Sequence, residues 1–222
     1  MTNPTPPASI DVSIAFEGLS LAGFLAVPEQ AKGLVVFAHG SGSSRFSQRN
    51  RFVAEILNQA GVATLLFDLL TPEEEDIDQR TREFRFDIDL LTDRLICVID
   101  WVCRNAAAAG LPIGLFGAST GAAAALGAAA ARADKVTAVV SRGGRPDLAL
   151  RHLAKVKAPT LLIVGGEDKA VIGINQQAAG QLLVEHRLEI VPDATHLFGE
   201  AGKLEQVAKL ARDWFLHYLT SL

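Results

Sequence analysis

Short runs of apolar, largely β-branched residues alternate along the chain with longer stretches whose apolar positions recur every three to four residues. Two runs at the start, Ile10 to Phe16 and Leu19 to Val27, are separated only by Glu17-Gly18 and predict an antiparallel hairpin. Further strand-like runs follow at Gly33 to Ala38, Val62 to Asp68, Ile113 to Gly117, Val136 to Ser141, Thr160 to Val164 and Leu188 to Val191. Most are apolar at consecutive positions, which suits strands buried on both faces of a mostly parallel sheet. Helical stretches lie between them at about Gln48 to Ala60, Phe86 to Ala109, Thr120 to Ala133, Ile174 to Glu185 and Glu200 to Leu219. The alternation predicts a doubly wound α/β sandwich with eight strands in the sheet and helices on both faces.

Composition agrees with a large core. Of 222 residues 49% are apolar and 21% charged, and no linker or low-complexity stretch divides the chain, so residues 10–222 read as a single domain behind a polar, Pro-rich tail from Met1 to Ser9. A formal charge of -4 argues against general attraction to nucleic acid. No apolar run approaches the roughly 18 to 20 residues that cross a bilayer, and the tail lacks the features of a secretory signal. The expectation is a cytoplasmic protein without a membrane or nucleic-acid partner. Cys97 and Cys103 sit in a helical pattern and read as small buried hydrophobes.

Chemistry enters at Gly117-Ala118-Ser119-Thr120-Gly121, a Gly-X-Ser-X-Gly motif with a strand-like run before it and an Ala-rich helical segment, Ala122 to Ala131, after it. That context makes it a nucleophile elbow, in which serine occupies a strained turn and glycines admit close backbone. Small alanines let the following helix lie close against the sheet.

With strand order and elbow together, the chain resembles the α/β-hydrolase superfamily over nearly its whole length, and its small size is most similar to the dienelactone hydrolases. The resemblance implies an acid after the seventh strand and a histidine after the eighth. Gly165-Gly166-Glu167-Asp168 supplies the acid as Asp168, with Glu167 as competitor, and Pro192-Asp193-Ala194-Thr195-His196 supplies the histidine. His152, His186 and His217 fit that position less well. In the triad Ser119 is the nucleophile, His196 the general base and Asp168 its orienting partner. An oxyanion hole needs two N–H donors, assigned to Thr120 directly after the nucleophile and to Ser41 in His39-Gly40-Ser41-Gly42-Ser43-Ser44. His39 reads as a hydrogen-bonding support of that loop. The loop lacks the Gly-Lys-Ser/Thr ending of a phosphate-binding loop, which counts against nucleotide binding.

The family's characteristic nucleophile is cysteine, whereas this chain has serine, which favours ordinary ester or thioester cleavage over transfer of the lactone substrate. Only Arg142 to Pro159 separate the sixth and seventh strands, too few for a lid domain, so the site should be open. Arg142 and Arg145 lie just beyond a strand's C-terminal end and either bind an anionic substrate or pair with acids such as Asp147 or the run Glu73 to Asp76. The stretch Thr71 to Asp78 reads as a solvated loop at the site's edge. Phe46 and Phe198 are candidate pocket walls, Phe84 and Phe86 candidate covers for an acyl chain, and core packing suffices to explain any of the four.

The reading is a carboxylic ester hydrolase acting on a small-molecule ester through an acyl-Ser119 intermediate. Acyl transfer to an alcohol or amine shares the same first half, and a binding protein on this fold is the remaining alternative. The histidines and carboxylates show no metal-ligand spacing, and neither a metal nor a cofactor is required.

Overall fold

In the computed structural model, which describes residues 7–220, all eight strands join one sheet. Strands β1 (Ile10–Phe16) and β2 (Leu19–Ala26) form the predicted hairpin. Glu17 and Gly18 both take positive φ, as a two-residue turn matching the strand twist demands. The remaining strands are β3 (Leu34–Ala38), β4 (Ala63–Phe67), β5 (Ile113–Ala118), β6 (Val136–Arg142), β7 (Thr160–Gly165) and β8 (His186–Val191). Their order is β1-β2-β4-β3-β5-β6-β7-β8, with β1 and β2 antiparallel and all pairs beyond β4 parallel.

Consecutive apolar residues in the strands serve two separate cores. In β3, Leu34, Val36 and Ala38 face one cluster with Leu115 and Leu95, while Val35 and Phe37 face the other with Phe116 and Phe215. Side chains alternate across a strand, so a run apolar at every position needs cover on both sides. Helices α1 (Gln48–Gln59) and α7 (Lys203–Leu219) cover the second face, and α3 (Ile88–Arg104) and α4 (Thr120–Ala131) the first. α4 is buried without interruption from Thr120 to Ala129, with no solvent-facing stripe over that length. Alanine makes this affordable in space, because a helix with larger side chains could not lie so near the sheet.

The acidic stretch after β4 is not a solvated loop. It folds as α2 (Pro72–Thr81), opened by a capping box in which Thr71 Oγ1 accepts from Glu74 N–H and the Glu74 carboxylate accepts from Thr71 N–H. Pro72 and three glutamates in the first turn suit a helix N-terminus. Asp78 within it is fully buried. Burial pushes its carboxyl up, but hydrogen bonds from Arg85 and from Phe84 N–H outweigh this and hold it below the usual carboxylate range. Helix α6 (Lys169–Ala179) begins directly after Asp168, earlier than the periodicity predicts, and stops at Gly180.

The connection after β6 holds a 3-10 turn (Pro146–Ala149) and the single-turn α5 (Leu150–Leu153), which build no lid. Cys97 is half-buried and Cys103 exposed, because the inward stripe of α3 runs through Leu91, Leu95, Val98, Ile99 and Val102. The strand β1 starts at Ile10, and of the expected tail residues 1–6 lie outside the described part. No helix among the described residues is long and apolar enough to cross a membrane.

Candidate active site

Ser119 stands between β5 and α4 with φ 52° and ψ -119°, a backbone conformation that a residue with a Cβ adopts only when its surroundings impose it. The surroundings are tight. A Cβ at Gly117 would lie 2.4 Å from Ala122 Cα, and one at Gly121 would lie 2.3 Å from the Ala38 carbonyl oxygen. Ser119 N–H donates to Arg142 O at 3.2 Å, and Ser119 O accepts from Arg145 N–H at 3.1 Å, so the chain after β6 holds the elbow by its main chain. The serine hydroxyl occupies a helix-cap position yet makes no capping hydrogen bond. It is left free for a reaction partner.

The ends of β7 and β8 bring the acid and the histidine together. His196 Nδ1–H donates to Asp168 Oδ2 at 2.6 Å, short as expected for a charge-assisted bond. Asp168 occupies the N-cap of α6 without capping it, its carboxylate being turned to the imidazole. The competitor Glu167 is turned to solvent, 57% exposed against 16% for Asp168, with Lys169 Nζ at 3.8 Å. The turn before His196 is fastened by the Glu200 carboxylate, which accepts from Thr195 N–H at 3.2 Å. Gly143, at φ +51°, lies against the imidazole, where a Cβ would come within 3.4 Å of His196 Cε1. Ser119 and His196 line one cavity of about 240 Å³, open at the C-terminal edge of the sheet. Among the described residues, Ser119 Oγ is not hydrogen-bonded to the ring; such bonds tighten when substrate arrives.

The loop after β3 borders the same cavity through Gly40, Ser41 and Ser43. Among the described residues, neither Ser41 N–H nor Thr120 N–H is committed to a backbone acceptor, and both line an adjoining narrow recess. His39 fastens this loop. Its Nε2 accepts from Leu69 N–H at 3.1 Å, which leaves the ring proton on Nδ1, donated to Gly40 O at 2.9 Å. Behind the loop, an Arg85 guanidinium held by Asp78 approaches Gly42. The Asp78–Arg85 buttress is not legible as such in the sequence, because it depends on α2 being a helix.

Burial pushes the His39 pKa below the ordinary histidine value, against a smaller opposing effect of the bond to Gly40. A histidine with a lower pKa folded than unfolded takes its proton more readily in the unfolded chain. Its contribution is therefore full above the unfolded value of ~6.5 and is lost as pH falls from there toward the folded value. Urea unfolding should show wild-type stability falling more between about pH 7.5 and about pH 5 than that of His39→Gln. Equal falls would remove His39 as a titrating support.

The other residues singled out from sequence divide. Arg142 lines the cavity and is 93% buried, being 7% exposed. Arg145 does not line it: its guanidinium is paired in two hydrogen bonds with Asp147, the acid two residues on. Phe46 is 53% exposed outside the cavity, edge-on to Phe24 and under the Arg45 guanidinium. Phe198, at φ 55°, turns into the core beside Val191 and Phe215, and the preceding Leu197 forms the apolar wall instead. Phe84 packs against the core, and Phe86 lies on a separate shallow surface with Asp89 and Arg151. Sequence reasoning missed Arg49 and Asn50, which α1 brings to the cavity in its first turn. Among the described residues no three His, Cys, Asp or Glu side chains cluster as a metal site.

A crystal structure of a dienelactone hydrolase from Anabaena variabilis is 57% identical and superposes with a TM-score of 0.95, covering 96% of this chain and 99% of that one. Est1E from Butyrivibrio proteoclasticus shares the fold at 18% identity, with a TM-score of 0.80 over 95% of this chain and 99% of its own. Two Mycobacterium tuberculosis proteins, from strains H37Rv and CDC 1551, are 58% identical over 209 residues and carry the provisional name phosphoribosyl transferase. The match covers 94% of this chain but only 46% of theirs, so the chain spans about half the length of these relatives. The sequence profile of the dienelactone hydrolase family matches residues 21–219, from the second strand through the last helix, and the chain belongs to that family.

Proposed function

We propose that the protein is a serine hydrolase that cleaves the ester, thioester or lactone bond of a small anionic substrate through an acyl-Ser119 intermediate. The observation that carries this reading is the His196–Asp168 hydrogen bond at the rim of the cavity that the strained Ser119 also lines. Ser119 Oγ attacks the carbonyl carbon while His196 Nε2 takes its proton, and the displaced electron pair collects on the carbonyl oxygen between Ser41 N–H and Thr120 N–H. Collapse expels the leaving group, which takes the proton from Nε2. Water then repeats the sequence on the acyl-enzyme, releasing the acid and restoring the serine. Asp168 holds Nδ1–H throughout and stabilises the imidazolium.

The name of the mycobacterial relatives describes proteins of which this chain matches less than half, and substitution at a ribose carbon is not the chemistry that these residues support. An elbow serine with Ser41 N–H and Thr120 N–H near it, neither given to a backbone acceptor among the described residues, suits attack on a carbonyl.

Exposure to a fluorophosphonate should add one adduct to the wild type and none to Ser119→Ala, read by intact mass. No adduct on folded wild type, or an adduct surviving in the variant, would remove Ser119 as the nucleophile.

A further inference from the structure

Arginines around the sheet's C-terminal edge mostly have acids. Arg45 is paired with Asp68, Arg85 with Asp78, Arg94 with Glu74 and Arg145 with Asp147. The two that line the cavity beside Ser119 are different. Among the described residues, neither Arg49 nor Arg142 has a carboxylate within ion-pair reach; the Nε of each, like that of the Asp68-paired Arg45, is also buried without a hydrogen-bond partner. Arg142 makes one long bond, from Nη2 to Asn50 Oδ1 at 3.4 Å. Burial first, and the Arg49 charge second, push the Arg142 pKa down to about 10, which still leaves it charged at neutral pH.

An unpaired buried cation is costly, and a second cation beside it adds to the cost. The backbone increases the local positive potential. Ser47, Arg49 and Asn50 bring the N-terminal turn of α1 to this cavity, and that turn contains no acidic residue where helices favour one. Two guanidinium forks and a helix N-terminus thus meet at one space whose lining, among the described residues, contains no carboxylate.

We infer that Arg49 and Arg142 form the recognition site for a dianionic oxyanion group, a phosphate monoester, carried by the substrate beside its scissile carbonyl. This rests on the hydrolase reading for its link to Ser119 and stands apart from it as a binding site. A single carboxylate would offset one cation and leave the other unmatched. A phosphate dianion offers three oxygens and the charge to offset both, in a geometry that guanidinium forks accept. The site discriminates by charge, which an open cavity without a lid needs more than an enclosed one.

The test uses inorganic phosphate on the full chain by isothermal titration calorimetry, with acetate in parallel and the variants R49Q and R142Q. Phosphate should bind the wild type saturably, at least tenfold tighter than acetate, and each variant should weaken it at least tenfold. Should R142Q fail to fold, R49Q on the rim of α1 decides. Absent phosphate binding, binding unchanged in R49Q, or acetate binding equally well would overturn the inference. Phosphate should also slow fluorophosphonate labelling of Ser119; binding without such protection would overturn its placement in the reacting cavity. Labelling of Ser119 without phosphate binding would sink the anion site alone, and Arg-dependent phosphate binding without labelling would sink the hydrolase reading alone.

Discussion

Ser119→Ala is expected to lower kcat/KM for a small ester by about three orders of magnitude or more while leaving the thermal unfolding midpoint near that of the wild type. The rate effect follows from removing the atom that forms the covalent bond. Stability should be spared because the hydroxyl makes no capping bond in the fold, and alanine meets the same backbone strain at φ 52°. The glycines that enforce the turn remain in place. His196→Ala should cost a similar amount, and the double variant little more than either, because a nucleophile without its base and a base without its nucleophile fail at the same step. Steady-state kinetics on the three proteins check this, and a Ser119→Ala enzyme within about tenfold of wild type would refute the assignment.

Asp168→Asn should reduce turnover by about four orders of magnitude with little change in shape. The carboxylate can only accept from Nδ1–H, which leaves Nε2 as the acceptor for the serine proton. An asparagine amide turned the other way donates instead, favours the opposite tautomer and points a ring N–H at the serine. It also withdraws the negative charge that stabilises the imidazolium. Glu167→Gln is the internal control: that side chain faces solvent and Lys169, so turnover should stay near the wild-type value. Comparable losses in the two variants would show that the turn as a whole, rather than the His196–Asp168 bond, sets the rate.

The parts of this molecule that follow short-range rules were open to reading. Strand β5, the elbow and α4 are contiguous, and the apolar run, the glycines and the alanines each report a local need. Asp168 and His196 after β7 and β8 are locatable through the resemblance to the α/β-hydrolases, which implies an acid and a histidine at those places in the strand order. The acidic composition of helix α2 resembles a solvated loop; the capping box at Thr71 and Glu74, with Pro72 between them, is the signal of a helix. Of the two readings open for Phe198, pocket wall or core, the structure gives the core. A positive φ at that residue sends its side chain inward and gives the wall to Leu197, and nothing in the neighbouring residues announces the reversal. Arg49 lay beyond local reasoning altogether, since its meeting with Arg142 depends on where α1 lands on the finished sheet. Arg145, nearer the strand end, was claimed by the adjacent Asp147.

The unbroken burial of α4 has a consequence for how such a protein can change over generations. Ser119 opens a helix buried without interruption over its first ten residues, which cannot shift without disturbing the core on that face of the sheet. Apart from Ala118 and Arg142 at the ends of β5 and β6, the rest of the cavity border is loop backbone or the capped first turn of α1. The loop and α1 part of the border can thus be revised by mutation while the elbow is inherited intact, whereas Arg142, whose carbonyl also holds Ser119, ties one recognition residue to the reactive centre.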